Sequence, residues 1–208
     1  ENVEDVALAG PGVIDGNKVF DPTGEEKMRG PHTLVFVNCR RVTVRDLTFL
    51  DSANYAVFFQ VSDDVEFRNA RFVGGWDGIH WRGAPDRWCN NVRILGCGFQ
   101  TGDDAIAGRY WNNTVISDCL INSSCNGFRF GCQSLLVKDC RFWGPGEFQH
   151  RISQRTNMLS AFVHFAPKDR KPKLPSDHCL IQNVTIDNAD AVFGYDFERG
   201  LWQTGQPA

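Results

Sequence analysis

No surplus of positive charge marks this sequence. Lys and Arg number 22 against 25 Asp and Glu, for a formal net charge of -3, so nothing argues for a nucleic-acid partner or an anionic membrane surface. No apolar run approaches the roughly 20 residues that a transmembrane helix needs. The opening ENVEDVALAG has neither a basic start nor a long apolar stretch and does not read as a signal peptide. There is no initiating Met, and the chain reads as a mature protein or an excised piece of a longer one. The eight Cys include no C-x-x-C pair, which argues against a zinc site. What is left is a chain that is 42% hydrophobic, enough for a real core in a single domain over residues 1–208. Asn112, Asn122 and Asn183 each open an Asn-x-Ser/Thr triplet. These matter only in a eukaryotic secretory route and leave targeting unread.

The positive signal is a repeat. Val42, Val44, Leu47 and Phe49 are apolar at relative positions 1, 3, 6 and 8. The pattern returns at Val65, Val92, Thr114, Leu135 and Cys179, with starts 23, 27, 22, 21 and 44 residues apart. The last gap reads as two periods, with the apolar segment 161–165 in its middle. Short alternating runs rich in Val, Ile and Phe, punctuated by Gly, Asn and Asp, are strands rather than helices. Repeats of this length made of short strands predict a solenoid, an all-β parallel β-helix. Each coil then adds a rung about 4.8 Å above the last.

The cysteines follow the same repeat. Cys97, Cys119 and Cys140 share one position, and Cys39, Cys89 and Cys132 another. Inward positions of equal phase stack, and free Cys behaves as a small buried hydrophobe, so these six are expected as buried thiols. Cys125 and Cys132 are the pair expected to bond if any does.

Counting five residues past the last apolar position of each repeat gives Asn54, Asp77, Asp104, Asn126 and Glu147, all polar. Asp77 and Asp104 therefore fall side by side on adjoining coils. Asp103 sits on the turn before Asp104, where strict strand alternation no longer holds. Three residues further on, the next outward positions are His80, Ala107 and Arg129. Trp76, Trp81, Arg82, Arg109, Tyr110 and Trp111 are expected on adjoining loops. Aromatic faces beside cations and carboxylates suit a sugar-binding cleft. A single Asp at a turn is ordinarily structural, and Asp15, Asp63 and Asp64 are read that way, as are His32, His150 and His178. Three acids in register with His, Arg and Trp around them are read as a site.

These residues resemble glycoside hydrolase family 28, the polygalacturonase-like enzymes. GPGVIDG at 10–16 resembles that family's G-x-G-x-I-D-G, and the 37–49 segment VNCRRVTVRDLTF its C-x-N-V-x-I coil. GWDGIH at 75–80 is similar to N-T-D-G-I-D, and GDDAIA at 102–107 to G-D-D-C-I-A. The resemblance implies a right-handed β-helix that hydrolyses glycosidic bonds with inversion. It makes Asp103 the general acid, and Asp77 and Asp104 the pair that holds and deprotonates water. Where the family has G-H-G this chain has Cys125-Asn126-Gly127, and where it has R-I-K this chain has Phe162-Val163-His164. His164 and Arg129 are the cations offered in replacement. The substrate contacts expected are thus Trp76, His80, Trp81, Arg109, Asn126, Arg129 and His164, with no metal or other cofactor.

Two other activities fit such a solenoid. A polysaccharide lyase would use Arg129 as its base, often with calcium. A noncatalytic carbohydrate-binding or adhesin β-helix would bind without forming product. In every case the expected partner is a carbohydrate, with no nucleic acid or membrane. The expected state is a monomer, extracellular or periplasmic.

Overall fold

The computed structural model describes residues 1–19, 21–24, 29–84, 86–165 and 177–196. The basic loop 168–173, read from the sequence as a solvated excursion rather than a groove wall, lies outside them.

Each repeat forms two strands and a corner. The residue just before the third apolar position is Asp46, Asn69, Gly96, Asp118, Asp139 or Asn183, and each has a φ between 50° and 62°. Asn, Asp and Gly are the residues that enter this left-handed region most easily. The corner they make explains why the apolar spacing widens from two to three in mid-repeat.

Parallel pairing then follows the repeat coil by coil. Val42 pairs with Val65, Val65 with Val92, Val92 with Thr114, Thr114 with Leu135, and Leu135 with Cys179. Beyond the corner Phe49, Phe72, Phe99, Ile121, Phe142 and Ile186 align in the same way. The pairing of Leu135 with Cys179 corrects the reading of the final gap. Its 44 residues are one coil enlarged by loops, not two periods. An earlier coil, Glu4–Asp15, sets Val6 on Val42 and Ile14 on Phe49. A register shift between Ala9 and Gly12 hides it from a strict count.

A third face carries the site. Leu34–Val37, Val57–Gln60 and Ile79–Arg82 lead to the opening residues of Ile106–Ser117 and Asn126–Lys138. Met158–Phe165 and Ala189–Asp196 complete it. The described strands form one 17-stranded sheet curled into three faces.

Like stacks on like inside the coil. Phe49, Phe72 and Phe99 lie face to face with ring centroids 5.1 and 4.7 Å apart. Phe36, Phe59, Trp81 and Trp111 form a second stack at 4.8, 5.2 and 4.7 Å. Such contacts add about 0.5–1.5 kcal/mol each to the burial itself. All eight Cys are free thiols, so Cys125 and Cys132 are not bonded, and all but Cys179 are buried. The Cys97, Cys119 and Cys140 thiols each point at the carbonyl two residues back, at 3.5, 3.2 and 3.1 Å.

Candidate functional site

Because Val57, Ile79, Ile106 and Phe128 pair in sequence across the third face, the residues two before them form one column: Tyr55, Asp77, Asp104 and Asn126. Ser160, paired with Asn126, continues it. The column expected from counting is therefore right in its middle three members and displaced at both ends. The turn from Phe49 to Val57 is one residue longer than its successors, which brings Tyr55 to the place expected of Asn54. The loop ahead of Met158–Phe165 carries Glu147 away from the column, to a hydrogen bond with Gln100.

The turn into this face is tightly built. Thr101 and Ser123 hydroxyls both donate to the Asp103 carbonyl, each at 2.7 Å. A Cβ on Gly102 would come within 2.6 Å of the Gly75 carbonyl oxygen, so only glycine fits between the coils. Asp103 and Asp104 are thereby held as neighbours on one buried turn, with Asp77 one coil before them.

All three carboxylates line a cavity of about 210 Å³ together with Arg29, Tyr55, His80, Arg82, Arg109, Cys125, Asn126 and Arg129. His80, Ala107 and Arg129 pair across successive coils, as the spacing predicts, and Ala107 leaves the space between them open. Arg82 pairs with Arg109 two residues further along the strands.

The structure does not bring every expected contact to this cavity. Trp81 alternates with the outward His80 and Arg82 and so points into the core, stacked between Phe59 and Trp111. Tyr110 and Trp111 are likewise buried. Trp76 is buried beneath the Arg29 guanidinium, which lies 4.1 Å from its ring centre. His164 pairs with Phe130 and stacks on it at 5.2 Å, on the row that faces inward. Val163, not His164, follows Arg129 along the outward row.

Two residues that join the acids were not picked out from the sequence. Arg29 comes from the segment before the first full repeat, a position with no periodic signal. Its Nη2 donates to Asp103 Oδ2 at 2.9 Å, and its Nη1 stands 3.8 Å from Asp77 Oδ1. His150, read as structural, is buried in the loop between Arg141–Trp143 and Met158–Phe165. Its Nε2 lies 3.6 Å from Asp103 Oδ2. The only hint of it in the sequence is the insertion itself.

The carboxyls differ in their surroundings. Burial alone would raise the Asp103 pKa, but the His150 imidazole 3.6 Å away and the Arg29 charge outweigh it and hold the group well below the usual carboxylate range. Asp104 accepts from the Asn126 backbone N–H at 3.2 Å and from Asn126 Nδ2 at 2.8 Å, yet burial and the Asp103 charge raise it. Asp77, 2.9 Å from His80 Nδ1, is raised well above the usual range by burial and by Asp103. His80 is lowered, first by burial and then by Arg82 and Arg109. The acid role that the resemblance assigns to Asp103 needs a carboxyl that keeps its proton, and the Arg29 charge beside it pulls in the other direction.

Asp103, Asp104 and Cys125 place donor atoms within 4.8 Å of one another, a spacing that could hold a metal ion. Two of the three already have cationic neighbours, Arg29 on Asp103 and Arg155 on the Cys125 sulfur at 2.9 Å. The arrangement is better suited to moving protons than to coordinating a cation.

Among solved structures the chain is similar to the surface adhesin PfbA of Streptococcus pneumoniae, at 19% identity and a TM-score of 0.59. That match covers 93% of this chain and 58% of the adhesin chain, so the chain spans little more than half of its length. The A-module of the mannuronan C-5 epimerase AlgE6 from Azotobacter vinelandii matches at 13% identity and a TM-score of 0.47, over 77% of this chain and 51% of that one. No curated protein matches. The family model described as a right-handed beta helix region matches residues 33–144. That span takes in five of the six repeat copies and all three acids, and the chain belongs to the right-handed β-helix family.

Proposed function

We propose that the protein is a glycan-cleaving enzyme that hydrolyses glycosidic bonds by carboxyl acid–base chemistry on the third face of the coil. One observation carries the reading: three carboxylates from two adjoining coils line one cavity, each with different polar neighbours. Two acids whose environments separate their proton affinities are what a proton donor and a proton acceptor require. Asp77 and Asp104, both raised by burial and by the Asp103 charge, are proposed to share one proton, so that one is the donor while the other accepts. One carboxyl gives its proton to the leaving oxygen, and water adds to the anomeric carbon as its own proton passes to the other carboxylate. Asp103 stays ionised and steadies the positive charge that develops on the sugar ring.

Inversion is the finer part of this reading. Asp103 and Asp104 place oxygens within 4.8 Å, closer than the about 6.5–9.5 Å that admits an attacking water between acid and base. Asp77, in register with Asp104 on the adjoining coil, is the other member proposed, and the anomer first formed decides whether water passes between them. Polygalacturonase-like activity in a secreted, monomeric enzyme is the family-28 form of the proposal, and pectic polymers belong in the first panel of substrates. Incubation with neutral and acidic polysaccharides, with detection of new reducing ends and of the first-formed anomer by proton NMR, tests it. New reducing ends with the inverted anomer are expected. Binding without product would overturn hydrolysis, and an unsaturated uronate product would point to elimination instead.

A further inference from the structure

We infer that Arg29, seated on Trp76, is a positioning residue that fixes the order in which the three site carboxyls hold protons. It keeps Asp103 as the permanent anion and leaves the exchangeable proton with Asp77 and Asp104. The inference deepens the hydrolytic reading, but its first readout needs no substrate.

The geometry carries it. Three carboxylates in one buried cavity cannot all ionise cheaply, because like charges at this range repel strongly where water is scarce. The acid with the most donors keeps its charge. Asp103 has Arg29 at 2.9 Å, the Asp104 backbone N–H at 3.0 Å and His150 at 3.6 Å. Asp104 accepts from the neutral backbone N–H and Nδ2 of Asn126, with the Cys125 thiol beside it and the Arg129 charge acting from the next coil. Asp77 stands 3.8 Å from the other Arg29 nitrogen and 2.9 Å from His80. Proton occupancy thus turns on one guanidinium that reaches two coils at once.

That guanidinium is itself held in place. Its carbon lies 4.1 Å from the Trp76 ring centre and 5.4 Å from that of Tyr55, where the ring faces attract the cation. Beside it the Gly30 N–H donates to the Ala53 carbonyl at 3.1 Å. Trp76, expected from the sequence to stack on sugar, is instead the platform for the cation that sets the acids.

Carbon-13 NMR of protein labelled at the Asp carboxyl carbons follows each group through a pH titration, with Asp103→Asn, Asp77→Asn and Asp104→Asn assigning the signals. In the unsubstituted protein the Asp103 signal is expected to stay ionised below about pH 4, the ordinary carboxylate midpoint, while the Asp77 and Asp104 signals titrate above it. In Arg29→Met the Asp103 midpoint is expected to rise by about 1–3 units, and Arg29→Lys should restore part of the shift. Trp76→Leu, which keeps the arginine but removes its seat, should raise the midpoint by less. It also serves as the test should Arg29→Met fail to fold by circular dichroism. An Asp103 midpoint that does not move in the folded variants, or one above that of Asp77 in the unsubstituted protein, overturns the inference. If the midpoints shift as expected and no glycan is cleaved, the positioning role stands and the hydrolytic reading falls. If glycan is cleaved and the midpoints do not shift, the reverse holds.

Discussion

The interior of the coil and the outer surface of its third face share the same hydrogen-bonded rungs but differ in how strictly they follow the repeat. Inside, Phe49, Phe72 and Phe99 occupy one position on three coils and stack ring on ring. Outside, the equivalent column changes from Tyr55 to Asp77, Asp104, Asn126 and Ser160. Inside, a side chain needs only to match its neighbours above and below, and identical neighbours do that well. Outside, a column of identical acids would only repel. The site forms where the column changes identity and where two segments outside the repeat, around Arg29 and His150, lean in to compensate the charge. Regularity builds the support, and departures from it build the chemistry.

The largest effect should come from the least regular part. Asp104→Asn is expected to lower turnover by about 10²–10⁴-fold, the usual contribution of a positioned acid or base, while far-ultraviolet circular dichroism stays unchanged. Turnover within tenfold of the parent would remove Asp104 from the chemistry. On the regular side, Phe72→Ala takes a ring out of the middle of the stack. It should cost about 3–5 kcal/mol in urea unfolding, and a loss below about 1 kcal/mol would mean that the stack does not carry the fold.

A third prediction sets the two regions against each other through pH. The folded state raises the pKa of Asp77. Its contribution to stability is therefore complete below the unfolded value of about 3.9 and is lost as pH rises through the higher folded value. Asp103 is shifted the other way. Its contribution is present above about pH 3.9 and is lost as pH falls through the lowered folded value. Asp77→Asn should therefore be more stable than the parent at neutral pH, and the gap should close toward pH 4. Thermal melts across that range would show it, and a gap independent of pH would refute the shift. Residues at functional sites commonly cost stability in this way. The smallest effect is expected at His164, which the coil turns inward. His164→Gln should leave KM within about twofold, since an uncharged swap away from the cavity removes no substrate contact. A tenfold rise in KM would return His164 to the substrate groove.

Much of this could be read in advance. The positions of Asp77, Asp104 and Asn126, and the alignment of His80 with Arg129, follow from counting along strands of known period. The buried thiol ladder of Cys97, Cys119 and Cys140 does too. Three errors share one cause. Trp81, Trp76 and His164 were assigned to the groove by residue type, but strand alternation and the packing beneath Arg29 put them elsewhere. Reading the 44-residue gap from Leu135 to Cys179 as two periods fails for a related reason, because loop length on the outer side does not count rungs.

The sequence by itself determined the coil: a two-residue strand period, a corner of Asn, Asp or Gly, and apolar positions that must stack to be buried. These are local constraints, and each acts within a few residues of the chain. Only the tertiary structure brought Arg29 and His150 onto the acids. Arg29 and Asp103 are 74 residues apart in the chain, and no spacing rule links them. The energy of a buried charge depends on the charges and donors around it in space, and those were set when the coils closed on one another.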